Sequence, residues 1–273
     1  MEVESFNPAQ FFAEYWRKKP LMIKGGVNSF LGKLWTREEF DAALIKAREA
    51  GAPIKERAGE VTFIEGVSRY DQYLGERTSY FARLFGVPSV WFDTIATHSV
   101  SGIGEHFDHS DNFVLNIEGV KRWTVAPPDS IGELSIAKRM MNVAGSGAQD
   151  LPKEGCLHFT LGPGDILYLP LFWIHSGVSE GSSLSVSLVA PAISLYSIVA
   201  SPIIRLMKSR LMGADPIPAL HSYLSTEERA QGLADITERT RRLLTELKAD
   251  TFLRDLEAIQ REVVLQEAVT EAA

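Results

Sequence analysis

The stretch HFDHSDNFVLNIEGVKRWTVAPPD, residues 106–129, and the later stretch GPGDILYLPLFWIH, residues 162–175, carry the pattern that decides the fold. Both contain short runs of β-branched and aromatic residues bounded by Gly, Pro, Asp or Asn, which is typical of antiparallel strands. Seven or eight such strands are enough to close a small barrel or jelly roll. The sequence therefore predicts a mainly β fold, with strands at 90–96, 105–108, 112–117, 121–125, 156–161, 165–169 and 184–189.

Helical patterns flank this β-rich region on both sides. Asn7 with Pro8, and Thr36 with Glu39, are capping signals that mark the start of two helices. The predicted elements are helices at 9–18, from Thr36 to before Gly51, at 70–85 and at 136–141, and a short strand at 21–23. After Pro191 the chain is predicted to be helical to its end. We therefore expect a β domain over residues 1–195 with a helical lead-in, and a C-terminal helical region over residues 196–273.

Composition excludes several classes of protein. The 28 Lys and Arg against 35 Asp and Glu give a net charge of −7, which disfavours a nucleic-acid partner because phosphate binders are basic. The single cysteine, Cys156, cannot form an intramolecular disulfide, which fits a reducing compartment. No secretory signal is visible at the N-terminus, and Pro202 and basic residues interrupt the most apolar long stretch, 193–212. A cytoplasmic protein without a membrane span is expected.

The triplet His106-Phe107-Asp108 and the distant His175 are the candidate chemical site. In a strand, residues i and i+2 point to the same face, so a strand at 105–108 would present an imidazole and a carboxylate side by side. His175, just past the end of the strand at 165–169, could add a third ligand. Two histidines and one carboxylate form the ligand set of non-haem Fe(II) oxygenases. The alternative is that these histidines are structural residues of a β-rich core.

In these two stretches the sequence resembles the Jumonji-C and cupin-like Fe(II)- and 2-oxoglutarate-dependent dioxygenases, over roughly residues 10–195. The member most similar in motif is the asparaginyl hydroxylase that inhibits hypoxia-inducible factor. The resemblance implies a double-stranded β-helix core, His106, Asp108 and His175 as iron ligands, and 2-oxoglutarate and O₂ as cosubstrates.

Three further residues are implied in cosubstrate binding by the same resemblance. Lys121 matches the lysine that pairs with the distal carboxylate of 2-oxoglutarate, and Asn112 matches an asparagine that contacts the cosubstrate near the metal. Ser187 lies in the alternating run SLSVSLV, whose serine face either lines the cosubstrate pocket or faces solvent. Without the resemblance, Lys121 would be read as a solvated lysine and Asn112 as a turn cap. The sequence departs from the family pattern at Ile103, where many relatives have a threonine, and at Ser187, where the asparaginyl hydroxylase has an asparagine.

The predicted function is hydroxylation of an amino-acid side chain in a peptide, a protein or an amino-acid-like metabolite. Two alternatives stay open: a metal-dependent cupin enzyme that does not use 2-oxoglutarate, and a non-catalytic cupin-fold binding protein. No extra module of the kind carried by the ribosomal-oxygenase branch is evident. Apolar residues at helical spacing in the C-terminal region suggest either a homodimer interface or a helical cap packed on its own barrel.

Overall fold

Short strands form most of the core. The computed structural model of the protein describes residues 2–57, 60–140, 143–192, 204 and 224–245. The strands in this part of the chain are β1 Glu2–Val3, β2 Leu21–Ile23, β3 Ile54–Arg57, β4 Val61–Ile64, β5 Trp91–Thr97, β6 Ser101–Gly102, β7 Ser110–Glu118, β8 Lys121–Ala126, β9 Leu157–Leu161, β10 Ile166–Leu169, β11 Ile174–Ser179 and β12 Ser183–Pro191.

Helices make up the rest of the regular structure that is described, and two of them begin at the predicted caps. The described helices are α1 Pro8–Glu14, α2 Val27–Leu31, α3 Arg37–Glu49, α4 Gln72–Phe85, α5 Glu133–Met140 and α6 Thr226–Thr245, with short 3-10 turns at Val67–Arg69 and Pro128–Ser130. The Asn7 side chain accepts a hydrogen bond from the Gln10 amide, and Thr36 and Glu39 form the predicted capping box.

Two sheets make up the β core. The larger sheet has the strand order β1-β2-β10-β7-β12-β5-β4-β3, and the smaller sheet has the order β6-β11-β8-β9. All strand pairs are antiparallel except the short pair of β1 with β2. The predicted mainly β fold of the jelly-roll type is confirmed.

The central strands β7 and β10 of the larger sheet are buried on both faces, which explains why they do not alternate between apolar and polar residues. One face packs against the N-terminal helices through a large cluster that includes Phe113, Leu115 and Leu188. On the other face, Val114 joins a smaller cluster with Trp123 and Val125 of the smaller sheet. In β12 the serines alternate with aliphatic residues, and Ser183 and Ser185 are buried.

Two strand predictions next to the site were wrong. Residues 105–108 do not form a strand, because Gly104 takes a positive φ of 92° after β6 and His106 pairs only through isolated bridges. His175 follows β10 as expected, but it lies within a further strand, β11, that was not predicted. The hairpin of β3 and β4 was also missed, since the edge strand IKER carries charge at three of its four positions.

The chain divides into two compact units, Met1–Ala192 and Ile193–Ala273. The sheets and α1–α5 belong to the first unit, and α6 belongs to the second. Most of the predicted C-terminal helical region lies outside the described residues, so the domain boundary at 195 and the homodimer stay predictions. Among the described helices, none has the length and apolar character needed to cross a bilayer.

Candidate metal centre

His106, Asp108 and His175 bring their ligand atoms together within the first unit. Nε2 of His106 lies 3.1 Å from Nε2 of His175, and Oδ2 of Asp108 lies 3.9 Å and 3.7 Å from these two nitrogens. The three ligand atoms lie within 4.8 Å of one another, a grouping that suits a single metal ion. The three residues that the sequence singled out as ligands are therefore neighbours in space.

The hydrogen bonds of both imidazoles leave Nε2 free for a metal. Nδ1 of His106 is 3.0 Å from the Gly104 carbonyl oxygen, and Nδ1 of His175 is 2.8 Å from the Trp173 carbonyl oxygen. A carbonyl can only accept, so each Nδ1 carries the hydrogen, and a neutral ring then has its lone pair on Nε2. Two lone pairs facing each other at 3.1 Å are unfavourable unless a cation lies between them. The donor set therefore fits a metal ion.

His175 is held in its neutral form. Its side chain is buried, and burial together with the neighbouring His106 lowers the pKa of His175 to about 4. A neutral imidazole is the form that binds a metal. The ring of Trp123 packs against His175, with the ring centroids 5.9 Å apart.

Asp108 is held as a carboxylate. Asn112 Nδ2 donates to its Oδ2 over 3.0 Å, and Arg139 Nη2 donates to its Oδ1 over 2.5 Å. Burial raises the pKa of Asp108, but electrostatic interactions with His175, His106 and Arg139, together with the hydrogen bond from Arg139, outweigh burial and leave that pKa below its ordinary value.

Backbone pairing places the two histidines opposite each other. The His106 amide donates to the His175 carbonyl over 3.0 Å, and the His175 amide donates to the His106 carbonyl over 2.8 Å. Directly opposed residues in such a pair have neighbouring side chains, so this pair sets the Nε2 separation. The Phe172 amide donates to the Asp108 carbonyl over 2.9 Å, and Phe172 takes a positive φ of 65°, which is strained for a phenylalanine.

A buried network holds the turn that leads into β11. The Asp111 side chain is fully buried and accepts hydrogen bonds from Tyr168 Oη over 2.7 Å, from the Leu171 amide over 3.2 Å and from Arg17 Nε over 2.9 Å. The Arg17 amide in turn donates to Tyr168 Oη over 2.8 Å. Asp111 thereby ties the N-terminal segment and the turn before His175 to β7.

Replacing Asp111 with alanine should lower the free energy of unfolding by about 2–4 kcal/mol, because buried donors on Tyr168 and Leu171 lose their acceptor. Urea unfolding followed by circular dichroism measures this change. Asp41→Ala, on the exposed face of α3, is the control and should change stability by less than about 0.5 kcal/mol. Equal losses in the two variants would contradict the structural role of Asp111.

Lys121 is buried without an acidic partner among the described residues. Its side chain is 2 % exposed, its Nζ lies 3.4 Å from Ser185 Oγ, and no described carboxylate is within ion-pair distance. Burial lowers the pKa of Lys121 to about 8. Nζ also lies 5.7 Å from the centroid of the Trp123 ring, the same ring that packs against His175. A buried ammonium without an anion is suited to an anionic ligand.

A cavity of about 1000 Å³ opens at the three candidate ligands. Asn112 and Ser187 line it, and the Asn112 amide also hydrogen-bonds Asp108. Their contact with the cosubstrate stays a prediction. The cavity extends to the hairpin of β3 and β4, where Phe63 and Ile54 contribute to its wall.

Several charged residues that line this cavity were not predicted, and two of them lie on α5 and β5. Arg139 is one, and Asp93 is the other: its carboxylate accepts from the Gly66 amide over 2.7 Å, and burial raises its pKa to about 6. A charged residue inside the otherwise uncharged strand WFDTIAT was a signal for Asp93. For Arg139 the signal was a basic residue on a helix inside a long connection.

A domain-family model matches the part of the chain that contains the candidate site. Residues 83–197 match the JmjC domain family. The match confirms the predicted resemblance, and the JmjC region contains the three candidate ligands as well as Asn112, Lys121 and Ser187.

Relatives of the JmjC region are found among ribosomal oxygenases. A "Probable ribosomal oxygenase" of Haemophilus influenzae is 25% identical over 209 residues, covering 67% of this chain and 49% of that protein. The "Ribosomal protein uL16 3-hydroxylase" of Escherichia coli is 24% identical over 205 residues, covering 67% of this chain and 52% of that protein. The chain thus spans about half the length of these curated relatives.

A solved structure shares the fold. It is that of YcfD, a ribosomal oxygenase from Escherichia coli, in complex with cobalt and 2-oxoglutarate. The TM-score is 0.58 at 18% identity, and the match covers 90% of this chain and 68% of that one.

Proposed function

We propose that this chain is an Fe(II)- and 2-oxoglutarate-dependent dioxygenase that hydroxylates an amino-acid side chain of a protein. One observation carries the proposal: two imidazoles and a carboxylate converge at a cavity, in the same core as a buried lysine without an anionic partner among the described residues. The two imidazoles and the carboxylate suit a metal with open coordination positions, and the buried lysine suits a dicarboxylate cosubstrate.

In this proposal His106 Nε2, Asp108 Oδ2 and His175 Nε2 hold the iron. When bound, Fe(II) with 2-oxoglutarate and O₂ supplies the oxidation that inserts an oxygen atom into a C–H bond and releases succinate and CO₂. The carbonyl groups of Gly104 and Trp173 orient the two imidazoles, and Asn112 and Arg139 orient the carboxylate. The chain itself therefore supplies orientation.

Lys121 receives the distal carboxylate of 2-oxoglutarate. Its ammonium gains a charge-assisted partner that the described protein residues do not offer. Ser185 lies beside it, and Asn112 and Ser187 face the cavity. Trp123 links the two parts of the proposed site, since its ring is buried and lies near both Lys121 and His175.

The substrate is proposed to be a protein side chain, and ribosomal proteins are the first candidates because relatives carry names that refer to them. A cytoplasmic location follows from that choice. The cavity, about 1000 Å³ in volume, can admit a side chain of any size, so volume alone does not select one residue type.

Anaerobic titration tests the proposal. Addition of Fe(II) and then 2-oxoglutarate to the metal-free protein should produce a visible metal-to-ligand charge-transfer band at one equivalent. The same titration with succinate, which lacks the keto group needed for chelation, is the control and should produce no band. Tight metal binding without a band would favour the cupin enzyme that does not use 2-oxoglutarate. Failure to bind metal would favour the binding-protein alternative.

A further inference from the structure

The two oxygens of Asp108 have different partners. Oδ2 is the oxygen that faces the imidazoles, at 3.9 Å and 3.7 Å from the two Nε2 atoms. Oδ1 accepts the hydrogen bond from Arg139 Nη2 at 2.5 Å, and the two side chains form an ion pair that is about three quarters buried. One oxygen is therefore presented to the metal site while the other is held by a guanidinium.

Arg139 is held at this position by the connection between β8 and β9. It lies on the last turn of α5, and the backbone of Gly147 packs against its guanidinium so closely that an added Cβ would lie 3.1 Å from Cζ. Gly147 also accepts a hydrogen bond from the Phe107 amide over 2.9 Å. The connection thus contacts both the backbone and the side chain of the segment that carries Asp108.

One donor of the Arg139 guanidinium lacks a hydrogen-bond acceptor among the described residues. Nε of Arg139 is buried and has no hydrogen-bond partner among the described residues, and Arg139 lines the cavity. A buried donor without a partner lowers the stability of the folded state. The position of Arg139 beside Asp108 therefore calls for a functional explanation.

We propose that Arg139 is a positioning residue of the metal centre: it withholds Oδ1 of Asp108, so that the carboxylate binds the ion through Oδ2 alone. This inference rests on the proposed function. A carboxylate that engaged the ion through both oxygens would occupy an additional coordination position. Arg139 keeps that position available for the cosubstrate and O₂, which both need access to the ion.

The positive charge of Arg139 also affects metal binding, and this effect can be separated from the positioning of Asp108. A guanidinium close to a cation site repels the metal, and a guanidinium paired with a ligand competes for it. If these effects dominated, removing the charge would tighten metal binding. If Arg139 also withholds Oδ1, removing it should in addition change the coordination of the ion, because Asp108 can then bind through both oxygens.

The test is a Co(II) titration of the full chain, followed by calorimetry and by the visible d–d spectrum, which responds to coordination number. Arg139→Met should change the affinity for Co(II) and shift the d–d bands, because Oδ1 of Asp108 is then free to bind the ion. Arg139→Lys, which keeps the charge and one donor, should restore part of both. Lys138→Met removes a neighbouring exposed charge from the same helix and should match the unmodified protein.

Each outcome decides the inference. An unchanged d–d spectrum in Arg139→Met, whatever the affinity, would overturn it. If Arg139→Met does not fold by circular dichroism, Arg139→Lys takes its place, and a spectrum and affinity equal to those of the unmodified protein would overturn the inference. Failure of the unmodified protein to bind Co(II) would instead refute the proposed metal centre itself.

Discussion

His106→Ala is expected to abolish 2-oxoglutarate turnover and to weaken Fe(II) or Co(II) binding by more than the roughly 10–100-fold that loss of a ligand's hydrogen-bond partner causes. Nε2 of His106 is one of three converging ligand atoms, so its removal leaves an incomplete ligand set. The His106 side chain is about one-fifth exposed, so this variant perturbs the core less than a change at the buried His175. Calorimetric metal titration and succinate release measure the two effects.

Thermal unfolding adds a measurement that does not depend on turnover. A metal that binds only the folded state raises the unfolding temperature of the unmodified protein, and His106→Ala should lose this increase. His158→Ala is the matched control, because His158 is exposed on β9 and its ring contacts the Thr124 hydroxyl. Full metal affinity in His106→Ala would refute the assignment of His106 as a ligand.

Lys121→Met is expected to have two effects of opposite sign. Without 2-oxoglutarate the variant should be more stable than the unmodified protein at pH 7. The fall in the Lys121 pKa from 10.5 to about 8 corresponds to about 3 kcal/mol of destabilisation by the buried charge. Affinity for 2-oxoglutarate should fall about 30-fold or more, since losing one member of a buried charge pair costs about 2–5 kcal/mol.

The pH dependence of stability checks the first effect. Between pH 8 and 10.5 the unfolded chain binds more protons at Lys121 than the folded chain does, so the contribution of Lys121 to stability rises with pH across this window. This rise should be absent in Lys121→Met. Urea unfolding at pH 7 and pH 10 measures it.

Arg122→Met is the control for Lys121, because Arg122 is the next residue of β8 and its side chain is mostly exposed and paired with Glu180. It should keep both the pH dependence and the affinity for 2-oxoglutarate. Unchanged affinity in Lys121→Met would contradict the proposed role of Lys121 and favour the enzyme that does not use 2-oxoglutarate.

Local signals were sufficient for most elements of the fold. The caps at Asn7 and Thr36 correctly marked the starts of α1 and α3, because capping depends on groups within three residues of the helix end. The strands at β7, β8, β10 and β12 were predicted within two residues, since β-branched and aromatic runs between turn residues are also local. The types of residue in the candidate centre could likewise be read from two short motifs.

The same local signals failed where pairing decides the conformation. The spacing of His106 and Asp108 predicts that both lie on one strand. In the described residues, however, the segment 105–108 pairs with its neighbours only through isolated bridges at His106. The hairpin of β3 and β4 has a charged edge strand that resembles a loop in sequence. In both cases the hydrogen-bond partner, and not the residue types, determines the structure.

By itself, then, the sequence determined the fold class, the capped helices and which residues could bind a metal. Only the tertiary structure decided that His106 and His175, 69 residues apart, face each other through a backbone pair. The burial of Lys121 without an acidic partner among the described residues, and the hydrogen bond from Arg139 to Asp108, likewise depend on the tertiary structure. Propensity and capping act over a few residues, whereas burial and charge pairing depend on segments that meet only when the chain has folded.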